Sequence, residues 1–173
     1  WLSADRTSPY AFYQFWLNTA DADVYKFLRY FTFLSLDEIA TIEEQDKTSG
    51  GKPQAQRILA EQATALVHGQ AAVDAAQRIS ASLFSGSVTD LTASDLAQLA
   101  QDGMPCVQIA LAQAGLIDAL VAGGLAKSKS EARTFIQSGA VSVNGNKIDS
   151  LEHQIGDDER LFGRYSLLKR GKK

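Results

Sequence analysis

Apolar residues in the first part of the chain recur at helical, not alternating, spacing. Ser8 before Pro9 pairs a cap residue with a proline suited to a first helical turn. Phe12, Phe15 and Trp16 follow at helical spacing, which predicts that they are core. Val24, Phe27, Leu28 and Phe31 stand at i, i+3, i+4 and i+7, with Asp21 or Asp23 placed to cap that helix. Leu36, Ile39 and Ala40 open a third, acidic helix that fades at Thr48-Ser49-Gly50-Gly51. Pro53 restarts the chain. Leu59, Ala63, Leu66 and Val67 mark one face up to Gly69, and Val73, Ala76, Ile79 and Leu83 mark the next, ending near Ser85-Gly86-Ser87. Thr92 with Asp95 forms a capping box, and Gly103 stops that helix.

The pattern then changes. Val107 and Ile109 predict a short strand. Leu116, Ile117, Leu120 and Val121 give a helix that stops at Gly123-Gly124. Ser128 with Glu131 makes another capping box, Ala132, Phe135 and Ile136 form the apolar stripe, and Gly139 lies past the end. Val141 and Val143 alternate toward Asn144-Gly145, a strong hairpin signal. Leu161-Phe162 and Tyr165 to Leu168 suggest a returning strand before a basic tail. The expected fold is mainly α with a small α+β module at the end. A helical domain would span 1–103 and a two-helix plus hairpin module 104–173, with the boundary near Asp102 to Val107.

Composition narrows this. The 173 residues are 45% hydrophobic, enough for one good core or two small domains. Trp1 in place of Met is expected of a piece excised from a longer protein. No signal peptide and no long apolar run are visible, so a soluble, cytoplasmic protein without a membrane contact is expected. Cys106 is the only cysteine, which precludes an internal disulfide and fits a reducing compartment. The net charge of −3 is uneven. Through Gly124, seven Lys and Arg face fourteen Asp and Glu; from Leu125 on, ten face six. The last third is therefore the candidate for a polyanion contact.

Catalytic chemistry is not expected within these residues. His68 and His153 have no Cys or second His at ligand spacing, so no metal site is expected. His68 reads as a favourable last-turn residue, and Cys106, beside Pro105, as a small buried hydrophobe. No phosphate-cradling loop or dinucleotide fingerprint is present. Glu43, Glu44 and Asp46 read as a solvated helix face. The aromatic clusters Phe12/Phe15/Trp16 and Phe27/Tyr30/Phe31/Phe33 read as core in preference to base-stacking platforms, with Tyr10, Tyr13 and Tyr30 less settled. Lys129 and Arg133, four apart, share a helix face, and Lys147 after the hairpin tip is placed to approach it. Lys127 stands beside that cluster, and Lys169, Arg170, Lys172 and Lys173 add charge at the end. Several such cations give salt-dependent RNA affinity; the plainer reading is an ordinary solvated face.

Two stretches carry a family resemblance. LIDALVAGGLAKSKSEARTFIQSGAVSVNGNKI resembles the RNA-binding motif first known from small-subunit ribosomal protein four, through Ser128-Lys129, Ala132-Arg133 and Gly139 to Gly145. Lysine at 129, where arginine is common, keeps the charge but loses the bidentate fork. SPYAFYQFWLNTADADVYKFLRYFTFLSLDEI, with LAEQATALVHG and LFSGS downstream, resembles bacterial-type tyrosyl-tRNA synthetases. The two parts together cover nearly the whole chain.

The resemblance implies a helical anticodon-binding domain followed by an RNA-binding module, both serving to hold tyrosine tRNA. The complete enzyme would attach tyrosine using ATP and Mg²⁺ at residues upstream of Trp1. It would be a homodimer through that absent catalytic domain, leaving this piece monomeric. Carboxylates can accept hydrogen bonds from a guanine edge, which makes Asp21 and Asp23 the anticodon-reading candidates, against the plain role of helix caps. Lys127, Lys129, Arg133, Lys147, Lys169 and Arg170 are the candidates for backbone contact. Two other classes remain open at this point: the targeting module of an RNA-modifying enzyme such as a pseudouridine synthase, and a helical protein-interaction domain.

Overall fold

The computed structural model describes residues 2–48, 50, 53–85, 87–110 and 115–171. The fold is mostly helical with one small antiparallel sheet. Packing divides the chain into two units, Trp1–Ile79 with Gln101–Gly103 and Ser80–Ala100 with Met104–Lys173. Trp1, Ser49, Gly51, Gly86, Lys172 and Lys173, which entered the expectations above, lie outside the described residues.

In the first unit, α1 (Pro9–Leu17), α2 (Asp21–Phe31) and α3 (Leu36–Thr48) pack on α4 (Ala55–His68). Ser8 caps α1: its Oγ accepts from the Ala11 N–H. The same serine is fully buried, so its remaining groups need partners. Asp102 supplies both, accepting from the Ser8 amide at 2.8 Å and from its hydroxyl at 2.5 Å. α5 (Gln70–Ser85) begins in this unit.

The periodicity locates these helices, but the buried faces differ from expectation. α1 buries Tyr10, Tyr13 and Trp16 and leaves Phe15 67% exposed. On α2, Val24 and Leu28 are buried, while Tyr30, Phe31 and the following Phe33 are exposed. Trp16 still meets Phe15, Phe27 and Phe31 with centroids 5.0–6.0 Å apart. These rings therefore form one cluster with its outer members in solvent, not a closed core. α4 buries Ala55, Leu59, Ala60, Ala63 and Thr64. Leu66 and Val67, expected on the buried face, are exposed. Leu36 and Ala40 are exposed as well, and Ile39 alone anchors the start of α3.

In the second unit, α6 (Ala93–Gln98) starts at the expected capping box of Thr92 and Asp95. It runs into a π-helical turn, Leu99–Gly103, which ends the element at Gly103. Val107 and Ile109 form no strand; residues 105–110 are without regular structure. Cys106 is exposed, so a buried-hydrophobe role is wrong. Without a partner strand or a helical turn, nothing there buries its side chain.

α7 (Leu116–Ala122) and α8 (Lys129–Gln137) pack against β1 (Val141–Val143). Leu116, Leu120, Ala126, Ala132, Ile136, Val141 and Val143 form this core. α8 ends in a glycine stop: Gly139 has φ +65°, its N–H donates to the Ile136 carbonyl, and the Ala140 N–H donates to that of Phe135. β1 turns at Asn144 (φ +50°) and Gly145 (φ +88°) into β2 (Asn146–Lys147), the two left-handed residues of a type I′ hairpin. The returning strand is β3 (Leu168–Arg170), shorter and later than expected. It pairs with β1 on the side away from β2, giving the order β2-β1-β3. Leu161 and Tyr165 form only an isolated bridge, with Phe162 exposed in a turn at φ +54°.

Candidate nucleic-acid interface

α8 starts where Ser128 Oγ accepts from the Glu131 N–H at 3.2 Å. Glu131 reaches back to the amide of Lys127, not to that of Ser128. This cap fixes the first turn and so the direction in which Lys129 and Arg133 leave the helix. Both are exposed, on a flank beside the buried Ala132 and Ile136. Lys129 Nζ is 2.6 Å from Asp118 Oδ1 in the first turn of α7, joining the two helices at the surface. Asp118 did not stand out in the sequence. Its partner is on the next helix, and no helical period connects the two positions.

The strand register sorts the other cations. Ser142 lies opposite Lys147 on β2 and opposite Lys169 on β3. Directly paired residues point to the same face of a sheet. Val141 and Val143 are buried toward the helices, so Ser142, Lys147 and Lys169 line the outer face. Lys147 therefore shares a row with Lys169 and not with the α8 pair. Lys169 Nζ also donates to the Leu83 carbonyl at 3.4 Å.

Arg170 pairs with Val141 and so turns inward. Its guanidinium lies 4.8 Å over the Phe135 ring and donates to the Leu125 carbonyl at 2.9 Å. These contacts tie β3 to α8, so Arg170 is part of the scaffold as well as a surface cation. Lys127 is exposed just before the α8 cap.

Asn144 holds the hairpin tip. Its Nδ2 donates to the Glu159 carbonyl at 2.7 Å, and its Oδ1 accepts from the Leu167 N–H at 2.8 Å. Glu159 in turn receives His153 Nε2 at 2.9 Å. The hairpin, the short 3-10 turn Asp157–Glu159 and the start of β3 are thus one hydrogen-bonded body. Sequence reasoning took Asn144 only as a turn former; its side-chain role depends on residues that fold back from far along the chain.

The helical unit places the two acidic candidates side by side in the first turn of α2, both exposed. Neither caps the helix: Ala20 occupies the cap position and no side chain bonds there. Asp21 instead accepts from Gln56 Nε2 of α4 at 2.6 Å. The capping explanation for these carboxylates is therefore removed. Asp46 is not simply a solvated residue either. Its carboxylate accepts from the Tyr25 hydroxyl at 3.0 Å and from the amides of Gln54 and Ala55 at 2.8 and 3.1 Å, holding the start of α4. Burial, helped by this bond to a carboxylate, pushes Tyr25 up to about 12. His68 is packed edge-on against Phe12 at 5.1 Å, and burial lowers its pKa, overriding its favourable last-turn position.

Two family models match the chain in succession: "tRNA synthetases class I (W and Y)" over residues 1–85 and "Tyrosine--tRNA ligase SYY-like C-terminal domain" over residues 95–173. The tyrosine–tRNA ligase of Chromobacterium violaceum is 76% identical over 173 residues, all of this chain and 41% of the relative. That of Dechloromonas aromatica is 67% identical over the same length and share. Among solved structures, a C-terminally truncated mitochondrial tyrosyl-tRNA synthetase of Aspergillus nidulans is 37% identical, with a TM-score of 0.45. That match covers 49% of this chain and 23% of the other. The chain spans about 41% of the length of the curated relatives it matches. These relatives are ligases, and they give no support to the targeting module of an RNA-modifying enzyme.

Proposed function

The chain belongs to the tyrosine–tRNA ligase family, and from that premise we propose that it is the tRNA-holding part of such an enzyme. The observation that carries the reading is the set of exposed cations, Lys129 and Arg133 on α8 with Lys147 and Lys169 on the outer face of the sheet, in an otherwise acidic chain. Such cations bind phosphates and position an RNA without reading its sequence. Base reading falls to the helical domain, residues 1–103, where Asp21 and Asp23 offer carboxylate acceptors to an unpaired guanine edge. The module at 104–173 grips the tRNA backbone.

The complete enzyme would join tyrosine to the terminal adenosine of its tRNA using ATP and Mg²⁺. Its catalytic residues would lie outside this chain. Among the described residues no three of His, Cys, Asp and Glu come together in a metal-sized group. The full enzyme would dimerise through its catalytic domain, with this part monomeric and the whole cytoplasmic. No helix among the described residues is long and apolar enough to cross a membrane.

The test uses two RNAs. The chain should bind tyrosine tRNA more tightly than the same tRNA with its anticodon replaced. Asp23→Ala, alone or with Asp21→Ala, should shrink that difference while helical circular dichroism stays unchanged. Equal affinity of the unmutated chain for both RNAs would refute base reading by this domain.

A further inference from the structure

Lys129 is an odd residue for its place. It is the first residue of α8, where the positive end of the helix dipole disfavours a cation. Asp118 answers it from α7 at 2.6 Å, and the two side chains are 63% and 48% exposed. A pair this exposed adds little to stability, so the fold has small need of it. Asp118 already sits well in the first turn of α7, where the dipole favours an anion. The pair borders a shallow recess lined also by Gln108, Ile109 and Ala122.

A phosphate that approaches Lys129 meets one of two conditions. Either it displaces the carboxylate, and the Lys129–Asp118 contact is lost, or it settles beside a second negative charge. Both weaken binding. We propose that Asp118 sets the affinity and selectivity of this face by competing with RNA phosphate for Lys129. The inference rests on the RNA-holding reading above. A short polyanion that touches only the first turn of α8 gains little, because Lys129 there is already paired with Asp118. An RNA that also engages Arg133 and the Lys147–Lys169 row gains enough from those contacts to outcompete Asp118. The carboxylate thus trades affinity for discrimination between tRNA and arbitrary polyanions, and it speeds release.

The test is a double-mutant cycle on the 173-residue chain with tyrosine tRNA at low and moderate salt. Asp118→Asn should tighten binding by about two- to fivefold, the span of an exposed ion pair. It should steepen the salt slope by up to about one unit. A short single-stranded RNA should gain more from D118N than tyrosine tRNA does. On a Lys129→Met background the effect of D118N should fall to half or less. An unchanged or weaker affinity for D118N, with K129M weaker than the parent, would overturn this inference alone and mark Asp118 as a simple scaffold contact. The same gain with and without Lys129 would overturn the claim that Asp118 acts through it. Absence of salt-dependent binding by the unmutated chain would overturn the RNA-holding reading, and this inference with it.

Discussion

His68 ends α4 with its Nε2 buried and without a hydrogen-bond partner, against the edge of Phe12. Burial lowers its pKa below the ordinary 6.5, so on acidification the unfolded chain takes up the proton first. The stability that comes from keeping this ring neutral is complete above about pH 6.5 and is lost as pH falls toward the lowered value. Urea midpoints measured from pH 7.5 to 5 should therefore decline, and His68→Phe should decline less. Identical pH profiles for the two proteins would contradict this assignment. The residue's chemistry was half legible in the sequence. Its place in a last turn before Gly69 could be read from local spacing. The aromatic ring that desolvates it is on α1, and helical periodicity does not say which helix covers which.

At the scale of elements, local signals did best. Ser8, Thr92 and Ser128 all cap the helices they were expected to cap, because a cap depends only on residues two or three positions on. The Asn144-Gly145 turn was legible for the same reason. What was not legible is how elements meet. The order β2-β1-β3 decides that Lys147 and Lys169 share a face, and it is set by a chain segment that returns late. Exposed Phe15, Phe31 and Phe33 show the same limit: the apolar stripe was visible, its covering was not. Asn144 joins the two kinds of information. Asn144→Gly keeps the left-handed backbone but loses two side-chain hydrogen bonds, and should cost about 1 to 2 kcal/mol. Asn144→Ala adds the steric penalty of φ +50° and should cost about 2 to 4 kcal/mol in all. Chemical denaturation checks both; equal costs would mean that the left-handed backbone adds no penalty beyond the lost side-chain bonds.

At the scale of the whole molecule, charge is the organising feature. The chain is acidic overall, yet its cations concentrate after Leu125. That asymmetry was readable before any fold was known, and so was the membership of Lys129 and Arg133 on one helix face. The pairing of Lys129 with Asp118 and the inward turn of Arg170 were not, since each needs a partner brought close by tertiary folding. The central claim is that this surface holds tRNA by its phosphates. The most direct measurement is the affinity of the chain for tyrosine tRNA over a series of salt concentrations, with and without Arg133→Ala. The account predicts that the logarithm of affinity falls linearly with the logarithm of salt, and that Arg133→Ala weakens binding and lowers the slope by about one unit. Affinity independent of salt, or an Arg133→Ala protein with unchanged affinity and slope, would contradict it.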